Sequence, residues 1–83
     1  MKRTVKEIFK SNLKGKNFMT PDIIKYGESG AYIYELSEGR FMNSKMYGVT
    51  VLTRRGERTE LDNSFFDLEE AKAYIETLKM VKQ

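Results

Sequence analysis

The chain contains no cysteine, no histidine and no tryptophan, and its single proline is Pro21. Without Cys there is neither a disulfide nor thiolate chemistry, which fits a reducing compartment. Without His the commonest metal ligand and the commonest general base near neutral pH are both missing. A nucleophile–base triad therefore lacks its usual base. No Asp-x-Asp-x-Asp-Gly loop offers calcium ligation in place of the lost metal chemistry. Gly27-Glu28-Ser29-Gly30 is not a phosphate loop, since neither a Gly-Lys-Ser/Thr pattern nor a Rossmann unit follows it. Glu69 and Glu70 remain as a carboxylate pair. Adjacent helical residues point about 100° apart, however, and acids in a first helical turn are explained by the helix dipole. The expectation is a non-enzyme with no catalytic residue, no cofactor, no metal and no small-molecule substrate. Long apolar runs are missing too. Val5, Ile8, Phe9 and Leu13 are spaced out by polar residues, so neither a signal peptide nor a membrane span is expected, and a cytoplasmic protein is the simplest reading.

What is present describes an ordinary globular chain. Its 83 residues, 40% apolar and 33% charged, suit one folded domain. A chain this short buries only about two-thirds of the surface its unfolded form exposes, so a partner could add to its stability. The net charge of +3 is unevenly spread. Residues 1–16 carry Lys2, Arg3, Lys6, Lys10, Lys14 and Lys16 against Glu7, a net +5. Residues 60–76 carry Glu60, Asp62, Asp67, Glu69, Glu70 and Glu76 against Lys72, a net −5. Either the two ends attract one another, within the fold or between copies, or the basic end meets an anionic partner; solvated helix faces are the plainer account.

The pattern predicts an α+β fold: an N-terminal helix, an antiparallel sheet of three to four strands, and a C-terminal helix packed on one sheet face. One domain spans 1–83, with a basic helix over 4–15, a β-meander over 22–62 and a helix over 67–80. Thr4-Val5-Lys6-Glu7 has the form of a capping box, and Val5, Ile8, Phe9 and Leu13 form the apolar stripe behind it. Thr20-Pro21 could open a short helix, but a strand over Ile23–Tyr26 is preferred, turned by Gly27–Gly30 into the strand Ala31–Leu36. Ser37–Met46 reads as a polar connection interrupted by Phe41 and Met42. A second hairpin joins Tyr47–Thr53 to Arg58–Leu61 through a three-residue loop, Arg54-Arg55-Gly56. That register sets Val51 opposite Thr59 and Val49 opposite Leu61, and keeps Tyr47, Val49, Val51, Thr59 and Leu61 on one face. Asp67 caps the last helix, Phe66 and Ala71 form a hydrophobic staple, and Leu68, Ala71, Ile75 and Leu78 make the buried stripe.

Two sets of residues carry the functional expectation. Arg54, Arg55 and Arg58 gather at a hairpin tip, joined by Arg40, Lys45 and the helical row Lys6, Lys10 and Lys14 as candidates for nucleic-acid contact. Phe41, Met42, Tyr32 and Tyr34 are candidates for a protein interface, where Tyr and Met are enriched. The text of Ala31–Leu36, Tyr47–Arg54, Arg58–Leu61 and Phe66-Asp67-Leu68-Glu69-Glu70-Ala71, with Ile24-Lys25-Tyr26-Gly27 ahead of it, resembles the arm-type DNA-binding domain of phage and transposon tyrosine recombinases. The resemblance implies three strands followed by a helix, and DNA contact by the sheet face through Arg54 and Arg58. The chain departs from that family in its extra basic helix and in the strand acids Glu35 and Glu60. The reading adopted is a small non-enzymatic binding or regulatory protein acting through protein contact, as a homodimer or with a partner, and of phage or mobile-element origin. The alternative is a DNA-binding accessory protein using Arg54–Arg58 and the Lys-rich helix.

Overall fold

The computed structural model describes residues 4–12 and 22–81. Expectations for Leu13, Lys14, Gly15, Thr20 and Pro21 lie outside them. The elements are α1 (Val5–Asn12), β1 (Asp22–Ser29), β2 (Tyr32–Phe41), β3 (Ser44–Thr53), β4 (Asn63–Phe65), α2 (Leu68–Thr77) and a 3₁₀ turn (Leu78–Met80). The strands form one antiparallel four-stranded sheet in the order β1-β2-β3-β4. The fold is α+β.

The capping box at α1 closes in both directions. The Thr4 backbone N–H donates to Glu7 Oε1 at 3.2 Å, and the Glu7 N–H donates to Thr4 Oγ1 at 3.2 Å. Beyond the cap, Ile8 and Phe9 are buried together with Ile33 and Leu52. Side chains alternate across a strand. Tyr32, Tyr34, Leu36, Val49 and Val51 therefore face the other way, clustered with Ala71, Ile75 and Leu78. The central strands β2 and β3 are thus apolar on both faces.

Each connection differs from its sequence expectation in an instructive way. β1 extends to Ser29, and the turn shrinks from Gly27–Gly30 to Gly30-Ala31, closed by the pair Ser29 and Tyr32. Gly27 is no turn residue. It lies opposite Tyr34, whose ring Cζ would be 2.6 Å from a Cβ placed there. The expected polar connection Ser37–Met46 is instead the far half of a long hairpin, with β2 running to Phe41 and β3 starting at Ser44. Polar composition argues for a loop, but backbone pairing along the growing ribbon prevails over side-chain propensity.

The β3–β4 hairpin keeps the expected three-residue loop at its tip. Thr53 N–H donates to Glu57 O at 2.9 Å, and Leu52 bridges Arg58. Farther down the register changes. Val49 pairs with Asn63, not Leu61, and Tyr47 pairs with Phe65. The reason is that two side chains take over the ladder at Val51. Thr59 Oγ1 donates to the Val51 carbonyl at 2.8 Å, and Asp62 Oδ1 accepts from the Val51 N–H at 2.8 Å. The backbone between Thr59 and Asp62 can then bulge by two residues, and the expected strand Arg58–Leu61 is replaced by a single bridge and β4. Asp62→Ala should leave the N–H of the fully buried Val51 without its partner. A loss of about 1–3 kcal/mol by urea denaturation is expected.

Asp67 caps α2 as expected, its carboxylate accepting from the Glu69 N–H at 3.0 Å. The staple does not form, because Phe66 is 64% exposed while Ala71 is fully buried. Phe65, one residue earlier, supplies the aromatic contact, with its ring 5.3 Å from that of Tyr74. The Tyr74 hydroxyl donates to the Leu61 carbonyl and so pins the bulge to the helix. Partial burial, with the Asp62 carboxylate nearby adding to it, holds the Tyr74 pKa above the usual tyrosine value. The folded state therefore keeps its proton to higher pH than the unfolded chain. This stabilisation is complete below the ordinary tyrosine pKa and is lost as pH rises through the folded value. Stability should fall above about pH 10, and less steeply in Tyr74→Phe, by denaturant titration across that range.

Candidate functional site at the tip of the β2–β3 hairpin

β1 pairs with β2 only as far as Glu38, and β4 pairs with β3 only as far as Tyr47. From Gly39 to Met46 the hairpin is therefore a two-stranded ribbon beyond the edge of the sheet, with Arg40 paired to Lys45 and Phe41 to Ser44. Met42 and Asn43 close it, with φ of 51° and 68°. Positive φ at both central residues is the hallmark of the type I′ hairpin turn, which follows the right-handed strand twist and favours Asn, Asp or Gly. Asn43 suits that conformation. Met42 does not, since a bulky side chain in the left-handed region is strained. The methionine side chain is nonetheless 82% exposed.

Arg40 and Lys45 face each other across the ribbon and so share one side of it. Both are exposed, and the Lys45 ammonium lies 3.6 Å from Glu38 at the base. The tip thus joins the exposed Met42 to two cations on a narrow support, while the Phe41 side chain, also a candidate for protein contact, lies outside the described residues. This brings together three residues that the sequence reading divided between nucleic-acid and protein contact.

The other candidates are dispersed. Tyr32 and Tyr34 are 7% and 6% exposed and belong to the core, which corrects their assignment to an interface. Their alternation with Ile33 on a strand covered on both faces explains why. Arg54, Arg55 and Arg58 lie at the opposite end of β2, roughly 30 Å from Met42 by strand rise. The Arg54 guanidinium is held there by the Glu28 carboxylate and by the Gly30 carbonyl, the latter at 2.6 Å. It ties the β1–β2 turn to the β3–β4 loop. Arg55 and Arg58 are exposed beside it. Lys6 is exposed on α1, the Lys10 side chain is outside the described residues, and so is Lys14.

Asn43 was missed by sequence reasoning, although an Asn flanked by polar residues is the signal that finds such a turn. Among the described residues no group of three or more carboxylates is placed to hold a metal ion, and no helix is long and apolar enough to cross a membrane. No protein-family model, no curated protein and no solved structure matches the chain.

Proposed function

We propose that this chain is a small binding protein that acts through protein contact, and that the tip of the β2–β3 hairpin is its contacting element. The observation that carries this reading is Met42, a large apolar side chain held in solvent on a backbone conformation that penalises it. Asn or Gly would close the turn with less strain, so neither turn geometry nor core packing accounts for methionine there. A binding role does. The flexible, polarisable thioether adapts to irregular apolar pockets, and an apolar anchor rimmed by Arg is a common interface arrangement. Arg40 and Lys45 supply that rim and select a partner pocket with acids at its mouth.

Met42→Asn separates the two roles of this position. The variant should be more stable by about 0.5–1 kcal/mol, because the strain is relieved. It should also lose the protein that the wild-type chain retrieves from lysate of the cells that express it. Equal retrieval by the two chains would defeat the reading. Salt-sensitive retention of a DNA duplex that survives Met42→Asn, and disappears when Arg55 and Arg58 are replaced, would move the function to the opposite tip.

A further inference from the structure

The same face of the sheet that carries α2 has an open groove of about 720 Å³ between α2 and the first half of β1. Its walls are Ile24 from β1, Leu36 from β2, and Ala73 and Ile75 from α2, with the Tyr34 ring among them. The end of the helix meets β1 where the Ser29 hydroxyl donates to the Ile75 carbonyl at 2.6 Å. Ile24, on the β1 wall of the groove, is 46% exposed.

We propose that this groove receives the β2–β3 hairpin tip of a second copy of the chain, so that copies join tip to groove. The proposal rests on the tip being a protein-contact element, and it names the partner. Shape and polarity agree: one long apolar side chain at the end of a narrow ribbon meets an apolar cleft open at one end. Charge agrees as well. Gly39–Met46 carries Arg40 and Lys45 and no acid, whereas the start of α2 carries Asp67, Glu69 and Glu70 and no base. Glu69 lines the groove itself. None of these three acids makes an ion pair among the described residues.

Lys25, Lys72 and Glu76 also line the groove, and Lys25, on the β1 wall, bears on the orientation. The hairpin face bearing Arg40 and Lys45 must turn toward the first turn of α2 and away from the β1 wall, since like charges repel. The ribbon projects away from its own sheet, so it cannot fold back into its own groove. Each copy then offers one tip and one groove. Such a contact builds open chains or a closed ring, or a two-fold dimer where two copies exchange tips.

Complementary variants test this in sedimentation velocity. Met42→Asn removes the tip anchor and leaves the groove, while Ala73→Arg, at an exposed helix position, obstructs the groove with a bulky cation and leaves the tip. The wild-type mass should rise with concentration, and each variant alone should stay monomeric. An equimolar mixture should stop at the mass of two chains, because one good tip meets one good groove. Arg40→Glu should weaken wild-type assembly about tenfold, and Glu69→Lys in the other copy should restore it. A wild-type chain that stays monomeric at every concentration overturns the proposal, as does a mixture that stays monomeric or a variant that still assembles alone. Monomeric wild-type with Met42-dependent capture of a different protein would end the self-assembly proposal and leave the tip as a binding element.

Discussion

Phe9→Ala is expected to lower the stability of this chain by about 3–5 kcal/mol, the range for emptying a fully buried aromatic site. Phe9 has no exposed surface. It sits with Ile8 against Ile33 and Leu52, and its ring centroid lies 5.6 Å from that of Tyr26. The effect is large for a second reason. α1 has eight residues, too few to hold a helix in water without tertiary contacts. Its cap is formed by Thr4 and Glu7, and Ile8 and Phe9, with the partly buried Val5, pack it on the sheet. Losing the Phe9 ring should release the helix and wet Ile33 and Leu52. An 83-residue chain has a total stability of about 4–12 kcal/mol, so the variant should be near its unfolding threshold at room temperature. Urea denaturation gives the size of the loss, and amide exchange over Val5–Asn12 tells where it occurs. A loss below about 1 kcal/mol with unchanged α1 protection would mean that the sheet face is buried without the helix.

Much of this architecture was legible in the sequence, and the limits have definite causes. The capping box, the Asp67 cap and the three-residue Arg54-Arg55-Gly56 loop depend on contacts within a few residues, where local chemistry decides. The strand pairing below that loop does not. Val49 meets Asn63 because the Asp62 and Thr59 side chains replace backbone partners of Val51, an exchange that a register rule based on alternation cannot anticipate. The packing of α1 was hidden for a related reason. Alternation puts Leu52 on the face away from Val51, but one apolar residue among Thr50, Arg58 and Glu60 does not announce a helix above it.

The candidate site was half legible. Met42, Arg40 and Lys45 were singled out, but in two separate roles, because Ser37–Met46 reads as a loop and a loop gives no reason to place Arg40 beside Lys45. The hairpin supplies that reason through a single cross-strand pair. Tyr32 and Tyr34 went the other way. Tyr is equally at home in a core and at an interface, and only the second covered face of β2 distinguishes them. Arg54 illustrates the same limit for charge: its cluster with Arg55 and Arg58 is real in sequence, yet its guanidinium serves the fold by holding the β1–β2 turn.

Gly30→Ala should cost about 2–4 kcal/mol, more than a turn glycine ordinarily does, because two penalties coincide. The residue has φ of 61°, a conformation that disfavours any side chain with a Cβ. A Cβ there would also stand 2.8 Å from the Lys79 Cα and 3.0 Å from the Leu78 carbonyl oxygen, both main-chain atoms of the 3₁₀ turn that ends the chain's last helix. Rotamer changes cannot relieve such a contact, so the β1–β2 turn and the helix end must move apart. That movement stretches the buried bond from Ser29 to the Ile75 carbonyl, and it shifts the Gly30 carbonyl that Arg54 holds. Gly30→Asn divides the two penalties. Asn tolerates positive φ far better than Ala but brings the same Cβ. It should therefore recover only the smaller, conformational part of the loss, and thermal unfolding of the two variants side by side measures the division. If Asn restored nearly full stability, the approach of the 3₁₀ turn would not be the reason for glycine, and the turn would be independent of the helix it touches.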